Sequence, residues 1–414
     1  MELSDVMQGT LPNGMRWIAV SDPGAKSLSF QMLTLAGSRM DPPGKSGLAH
    51  VCEHIMFDGT TKHTAEELVT QLSQYGGELN AYTSNDVAVY HAKMRGEYLE
   101  RMVSFFSEIL YESVFSEESI EREKEVVLQE VSMRTGSPAS SLSTILIPER
   151  AWRDTPAAEP VGGREEDIRS ITRTDVLHFV EQMYRPEHIV LSLAGDIKDS
   201  NGLPALLEQY FNFQVKSTPM PTIYLAKSIR QDETEVYRMN MNQSDALISL
   251  SFPYMTERLE KYIDVVSNVL MDTMNSRLFV ELRTKTGLVY SVSSISTQLR
   301  DVGLFGFSFT IANNEGKISQ ATNLCLDVLD NIVIYGITHD ELIRAKTYIT
   351  EQKLLALEDT MSLSSFYGQE LLLKGKVRSY QESIDEIRSL TLNDIHHATG
   401  QLFSVSRLNL AILT

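Results

Sequence analysis

His50, Glu53 and His54 fall in the run His-Val-Cys-Glu-His within residues 47–57. On a helix, positions i, i+3 and i+4 share one face. This pentapeptide can therefore turn two imidazoles toward one cation with a proton acceptor alongside. Imidazole nitrogen suits Zn²⁺, and a catalytic zinc takes three protein ligands and leaves one position open. The chemistry such a group supports is metal-assisted hydrolysis. The third ligand has to come from elsewhere. Glu123 and Glu130 lie two turns apart on one face of the helical pattern 121–131, beside Val126 and Val127. A carboxylate beside an apolar stripe needs a partner, because an unpaired buried charge is costly. A metal would supply that partner, but spacing does not say which of the two carboxylates ligates.

Other metal-capable side chains in the sequence do not form a second group. Cys52 points to a different helix face from His50 and reads as a small buried apolar residue. His396 and His397 occupy adjacent faces of a late helix and cannot easily chelate together. His63, His91, His178, His188 and His339 are scattered along the chain.

The elements that must position these residues come in blocks. Strand-like stretches at 28–35 and 247–252 are followed by helical patterns such as 65–74, 96–112 and 120–133. Blocks of this kind predict an α+β fold, in which helices pack on one face of a mostly antiparallel sheet. The arrangement occurs twice. Residues 167–176 return as 386–395, each copy with a Thr three residues before an Asp, a helix N-cap facing an acidic first turn. Residues 189–194 return as 408–413, 86–90 as 301–305, and 116–122 as 338–344. Four matches in one order indicate a duplication. The expected organisation is two duplicated α/β domains: 1–212 carrying the metal site, a linker at 213–232 with Pro219 and Pro221, and 233–414. No histidine occurs between His188 and His339, and Gln352 stands roughly where Glu130 would repeat. One metal site per chain follows.

Composition narrows the partners. The chain has 414 residues and a formal net charge of −18, which disfavours a nucleic-acid partner. Its two cysteines, Cys52 and Cys325, provide no disulfide framework. No apolar run approaches the ~20 residues of a membrane span, and the first residues lack the basic and apolar regions of a secretory signal. A cytoplasmic protein without membrane attachment is the expectation.

The sequence resembles a known family: the inverted-zincin peptidases of the pitrilysin group (peptidase family M16), most closely the subfamily of mitochondrial processing peptidase and its bacterial relatives. Gly37-Ser38-Arg39, Gly47-Leu48-Ala49-His50 and Phe57-Asp58-Gly59-Thr60 follow the family's metal block. Residues 76–84 follow its next block, and Tyr184-Arg185-Pro186 and Ala194-Gly195-Asp196 match the close of its first domain. The resemblance implies one Zn²⁺ per chain, held by His50, His54 and Glu130, with Glu53 as general base and Glu123 orienting the site. It implies that Asn80 and Ala81 belong to an edge strand receiving the substrate backbone. The block 276–292 matches a second family motif, which implies that Arg283 and Tyr290 grip the scissile peptide. Short family members are similar to half of a four-domain clamshell. The implied assembly is therefore a homodimer, with a heterodimer as the alternative, acting on peptides or unfolded segments. A non-catalytic partner subunit is the competing function. The glycine-rich loop typical of such subunits is missing near 271–276.

Overall fold

The structure is a computed structural model that describes residues 6–153, 155–213, 235–239, 245–403 and 408–414. Strands β1 (Val6–Thr10), β2 (Arg16–Ser21), β3 (Leu28–Thr34), β4 (Glu78–Thr83), β5 (Ala88–Met94) and β6 (Ile189–Gly195) form one sheet, in the order β1-β2-β6-β3-β5-β4. Only β2 and β6 run parallel. Strands β7 (Glu235–Met239), β8 (Asp245–Met255), β9 (Ser293–Gln298), β10 (Val302–Ala312) and β11 (Asn409–Leu413) form a second sheet, in the order β7-β11-β8-β10-β9. There only β7 and β11 run parallel. With β1 set aside, the two orders coincide strand for strand, including the place of the single parallel pair. The duplication legible in the sequence is therefore a duplication of topology. The fold is α+β, with two mostly antiparallel sheets.

The helices that matter below are α1 (Leu48–Ile55), α2 (Leu99–Glu112), α3 (Glu117–Gly136), α4 (Ile147–Ala151), α5 (Arg173–Met183), α6 (Leu203–Phe211), α7 (Thr256–Ser267), α8 (Glu315–Tyr335), α9 (His339–Ala356), α10 (Thr360–Gln369) and α11 (Leu392–Leu402). The repeated Thr-Asp pairs are capping boxes in both copies. Thr172 opens α5 with Asp175, and Thr391 opens α11 with Asp394, each hydroxyl accepting the Asp N–H and each carboxylate accepting the Thr N–H. In the first unit, Phe30 of β3 stacks at 4.8 Å on Phe106 of α2 and at 6.4 Å on Phe211 of α6. In the second, Phe305 and Phe307 of β10 point into a core shared with Leu259 and Ile263 of α7, Ile318 of α8 and Ile395 of α11.

The units are not the contiguous halves expected from the sequence. One comprises Met1–Ser132, Glu159–Ile223 and Leu354–Arg378; the other comprises Met133–Ala158, Tyr224–Lys353 and Ser379–Thr414. Each unit thus takes one segment from the other half of the chain, and two of the boundaries, after Ser132 and after Lys353, fall inside α3 and α9. Residues 214–232 of the expected linker lie outside the described residues.

The exchanged segments cover the second face of each sheet, so the expectation of helices on one face holds only for each half's own helices. In the first unit α10 lies on β3 and β6 through polar contacts: Ser29 Oγ to Thr360 Oγ1 at 2.7 Å, and Gln31 Nε2 to Ser364 Oγ at 2.8 Å. Ser192 Oγ donates to the Ser364 carbonyl at 2.6 Å. Gly368 permits the close approach, because a Cβ there would sit 2.7 Å from Leu33 Cδ1. In the second unit, Leu142, Ile147, Ala151 and Trp152 pack on Val302, Leu304, Ala411 and Leu413. Strand alternation divides β10 accordingly, with Phe305 and Phe307 to one core and Val302 and Leu304 to the other. Among the described residues, no helix is long and apolar enough to cross a membrane.

Candidate metal centre

Helix α1 starts at a tight spot. Gly47, at φ 95°, leads into it, and a Cβ at Gly47 would meet Gly163 Cα at 2.9 Å. No side chain adjacent to the helix caps it. Asp41 does so from a distance, its two oxygens accepting the N–H groups of Gly47 and Ala49 at 2.8 Å each. Burial pushes the Asp41 carboxyl up to about 8, against the opposing pull of the N–H donors of Ala49, Gly47 and Leu48.

Helix α3 is fixed across from α1 by Lys124. This buried ammonium donates to the carbonyls of Ile171 at 2.9 Å and Arg169 at 3.1 Å, and pairs with Glu121 at 2.8 Å. A cation on the carbonyls that end the 165–170 helix is favourable electrostatically as well as geometrically. Glu123 and Glu130 are presented from this anchored helix.

Glu130 spans both histidines. Its two carboxylate oxygens lie 3.7 Å from His50 Nε2 and 3.7 Å from His54 Nε2. The two rings are nearly perpendicular, with centroids 4.8 Å apart. Among the described residues, His50, His54 and Glu130 are the one group of three or more His, Cys, Asp or Glu side chains able to hold a metal, their donor atoms all within 4.8 Å of one another. Ligand atoms on a tetrahedral zinc lie about 3.3 Å apart, so small movements would bring these donors to bonding distance. Two imidazoles and one carboxylate are also a donor set that zinc accepts.

Glu123 lies on the far side of the His54 ring. Its Oε2 lies 3.2 Å from His54 Nδ1, so it holds the back of the ring while Nε2 faces Glu130. Of the two carboxylates that spacing left open, Glu130 lies between the two imidazoles and Glu123 lies behind one of them. Arg122 reaches Glu123 Oε1 at 3.5 Å and also pairs with Asp58.

Glu53 is buried, with Oε2 4.0 Å from His50 Nε2. Thr83 donates its hydroxyl to that same oxygen at 2.9 Å. Thr83 ends β4, an edge strand of its sheet, which pairs only with β5 among the described residues. Asn80 and Ala81 sit on this strand, opposite His91 and Tyr90. Behind the site, the buried Tyr90 and Tyr184 hydroxyls meet at 2.7 Å. Cys52 is buried and outside the metal group, and burial pushes its thiol up.

Residues 16–165 match the family described as Insulinase (Peptidase family M16), and residues 170–349 match its companion, Peptidase M16 inactive domain. The chain belongs to peptidase family M16. Relatives match it over nearly its whole length. It is 28% identical over 404 residues to the uncharacterized zinc protease YmxG of Bacillus subtilis, covering 95% of each chain. It is 26% identical over 398 residues to an uncharacterized zinc protease of Streptomyces coelicolor, covering 95% of this chain and 86% of that one. A protease from Helicobacter pylori shares the fold, with a TM-score of 0.92 at 22% identity and full coverage of both chains. A chain of Complex III2 from Candida albicans also shares it, with a TM-score of 0.81 at 18% identity, covering 99% of this chain and 96% of that one.

In the second unit of this M16 chain, Arg283 and Tyr290 are in contact. The Arg283 guanidinium lies 4.5 Å from the Tyr290 ring centroid and 5.1 Å from that of Phe279. Tyr290 is 80% exposed. Stacking on Phe279 and Tyr290 directs the guanidinium, and exposure leaves the phenol available to a ligand. The sequence reading missed three contributors to the metal centre: Asp41, Thr83 and Lys124. Only Asp41 carried a signal, as an acidic residue upstream of a helix whose N-cap, Gly47, has no side chain to cap it.

Proposed function

We propose that this M16 chain is a zinc-dependent endopeptidase that hydrolyses peptides or unfolded polypeptide segments. The observation that carries the reading is the convergence of His50, His54 and Glu130 with a buried Glu53 on the same helix turn. His50, His54 and Glu130 would hold the metal. Zinc, when bound, supplies a Lewis acid for the scissile carbonyl and makes water more acidic. Glu53 accepts a proton from the attacking water and delivers it to the leaving amine. Thr83 keeps the Glu53 carboxylate oriented for that transfer. Glu123 fixes the ring of His54 and thereby its tautomer. Asn80 and Ala81, on an edge strand, would align the substrate as an added strand. Arg283 and Tyr290 would bind substrate carbonyl oxygens and the oxyanion.

The substrate-gripping pair and the metal group belong to different units, and we propose a homodimer in which each chain's pair serves the other's metal. A heterodimer would use the same logic. The alternative function, a non-catalytic partner subunit, is disfavoured because such a subunit has no use for His50, Glu53, His54 and Glu130 together.

Glu53→Gln tests the reading. The variant is expected to bind zinc stoichiometrically while peptide hydrolysis drops by at least ~10³-fold. Wild-type turnover by the variant would remove Glu53 as the base. A wild-type chain that binds no zinc would support the partner-subunit reading.

A further inference from the structure

The second unit holds a cavity of about 180 Å³ that the peptidase reading does not use, lined by Asn268, Val269, Asn275, Ser276, Arg344 and Tyr348 among others. It lies between the turn that follows α7 and one face of α9. Two side chains in its wall are buried and each has a polar atom with no partner among the described residues. Asn268, 6% exposed, has an unpaired Nδ2, and Ser276, 3% exposed, has an unpaired Oγ. Burying an amide donor and a hydroxyl without partners is costly, and such groups call for an explanation at the site.

The wall carries one cation, Arg344, and one anion, Glu341, whose charge is matched by Arg277 behind it. Glu341 also lines the cavity, but its carboxylate is fully engaged: Arg277 binds both oxygens, at 2.7 Å and 2.8 Å, and the Thr338 N–H donates at 2.7 Å. Arg344 is an exposed guanidinium with no ion pair among the described residues. Asn275 uses its Oδ1 to accept from Thr273 at 2.6 Å, which leaves its amide hydrogens for a ligand. The wall therefore offers a guanidinium, one or two amide NH₂ groups and a hydroxyl, together with the apolar surface of Val269 and the Tyr348 ring. A planar guanidinium with neighbouring amide donors matches a carboxylate. The volume is below the roughly 300–1,000 Å³ of sites for drug-sized ligands, so the ligand is small.

We propose that this cavity binds the carboxylate of a small molecule, specifically the C-terminal carboxylate of a short peptide. The peptide as source rests on the peptidase reading; the carboxylate rests on the wall alone. Ser276 also opens the helical run 277–285 that carries Arg283, so an occupied cavity would brace the segment holding the Arg283–Tyr290 pair. Under the peptidase reading, this is where a product could act on the chain that made it.

The test is calorimetric titration of the full-length protein, with metal removed by a chelator, using the dipeptide Ala-Leu as the probe. Without metal the probe is not hydrolysed, and a chain that proved inactive as a peptidase would leave the result standing. Saturable one-to-one binding is expected, weakened at least tenfold by Arg344→Gln and at least tenfold when the dipeptide is replaced by its C-terminal amide. Asn268→Asp, which sets a like charge against the ligand, should abolish it. Arg344 is on the surface, so its variant decides the matter even if Asn268→Asp fails to fold. Four results would overturn the proposal: no saturable binding, equal binding of the amide, equal binding to Arg344→Gln, or equally tight binding of inorganic phosphate. Leucine binding as tightly as the dipeptide would uphold the carboxylate and overturn the peptide source.

Discussion

Thr83 Oγ1 donates a hydrogen bond to Glu53 Oε2 at 2.9 Å, which ties the end of an edge strand to the proposed base. The base and the strand expected to receive substrate are thus one connected structure. Thr83→Val removes the hydroxyl and keeps the branched shape. We expect kcat for a peptide substrate to fall ~10- to 100-fold with little change in KM, and Thr83→Ser to restore most of it. Equal activity of Val and Ser variants would mean the bond does not orient Glu53.

The two carboxylates of α3 should separate in a metal-binding assay. Glu130→Gln is expected to weaken zinc affinity by more than ~100-fold, because it replaces an anionic ligand. Glu123→Gln touches only the back of His54 and should cost ~10- to 100-fold. Competition with a chromophoric chelator measures both. The reverse ranking would exchange their roles.

Mixing tests whether sites are shared between chains. Glu53→Gln and Tyr290→Phe are each expected to be nearly inactive alone. Combined in equal amounts and allowed to exchange subunits, they should recover about a quarter of wild-type activity, since half the dimers would then carry one intact site of two. Absence of recovery, with exchange verified by mass spectrometry, would mean that Tyr290 serves the metal of its own chain.

The exchanged helix α10 should leave a signature in acid. Asp359 opens α10 by accepting from the Ser362 N–H at 3.0 Å and pairs with Lys93 of β5 at 2.8 Å. Partial burial pushes its carboxyl up, but Lys93 and Ser362 outweigh it and hold the folded value at about 2, below the usual 3.8. In acid, the unfolded chain therefore binds a proton that the folded chain does not, and the Asp359 contribution rises with pH. Asp359→Asn should lower Tm at pH 6. The gap to wild type should narrow as pH falls from ~4 toward about 2. A gap that widens on acidification, followed by calorimetry, would contradict the pairing.

How far the sequence reached depended on whether a feature was local. His50, Glu53 and His54 were legible because helical spacing alone puts them on one face. The capping boxes of Thr172 and Thr391 were legible for the same reason. From spacing alone Glu123 and Glu130 were legible as candidates but not as roles, since both share a face; the roles came from the resemblance, and the placement beside α1 agrees with them. Thr83 was silent, because a hydroxyl on a strand carries no mark of what it will touch across the fold. The exchange of 133–158 and 354–378 was equally silent, because amphipathic periodicity reports that a helix has a buried face and not which sheet it covers. One hint was available in hindsight. Ser29, Gln31 and Ser192 are polar residues within fully buried strands, and they meet Thr360 and Ser364. Inward polar residues on a central strand ask for a polar partner on that face.

The reciprocal exchange of segments also governs how the protein can be made. Residues 1–213 leave the ribosome first, yet the sheet they form waits for 354–378 before its second face is covered. Ser29, Gln31 and Ser192 stay without their partners until Thr360 and Ser364 have been synthesised. Domain-by-domain folding during translation is therefore closed to this chain, and a nascent first half is a natural client for a chaperone.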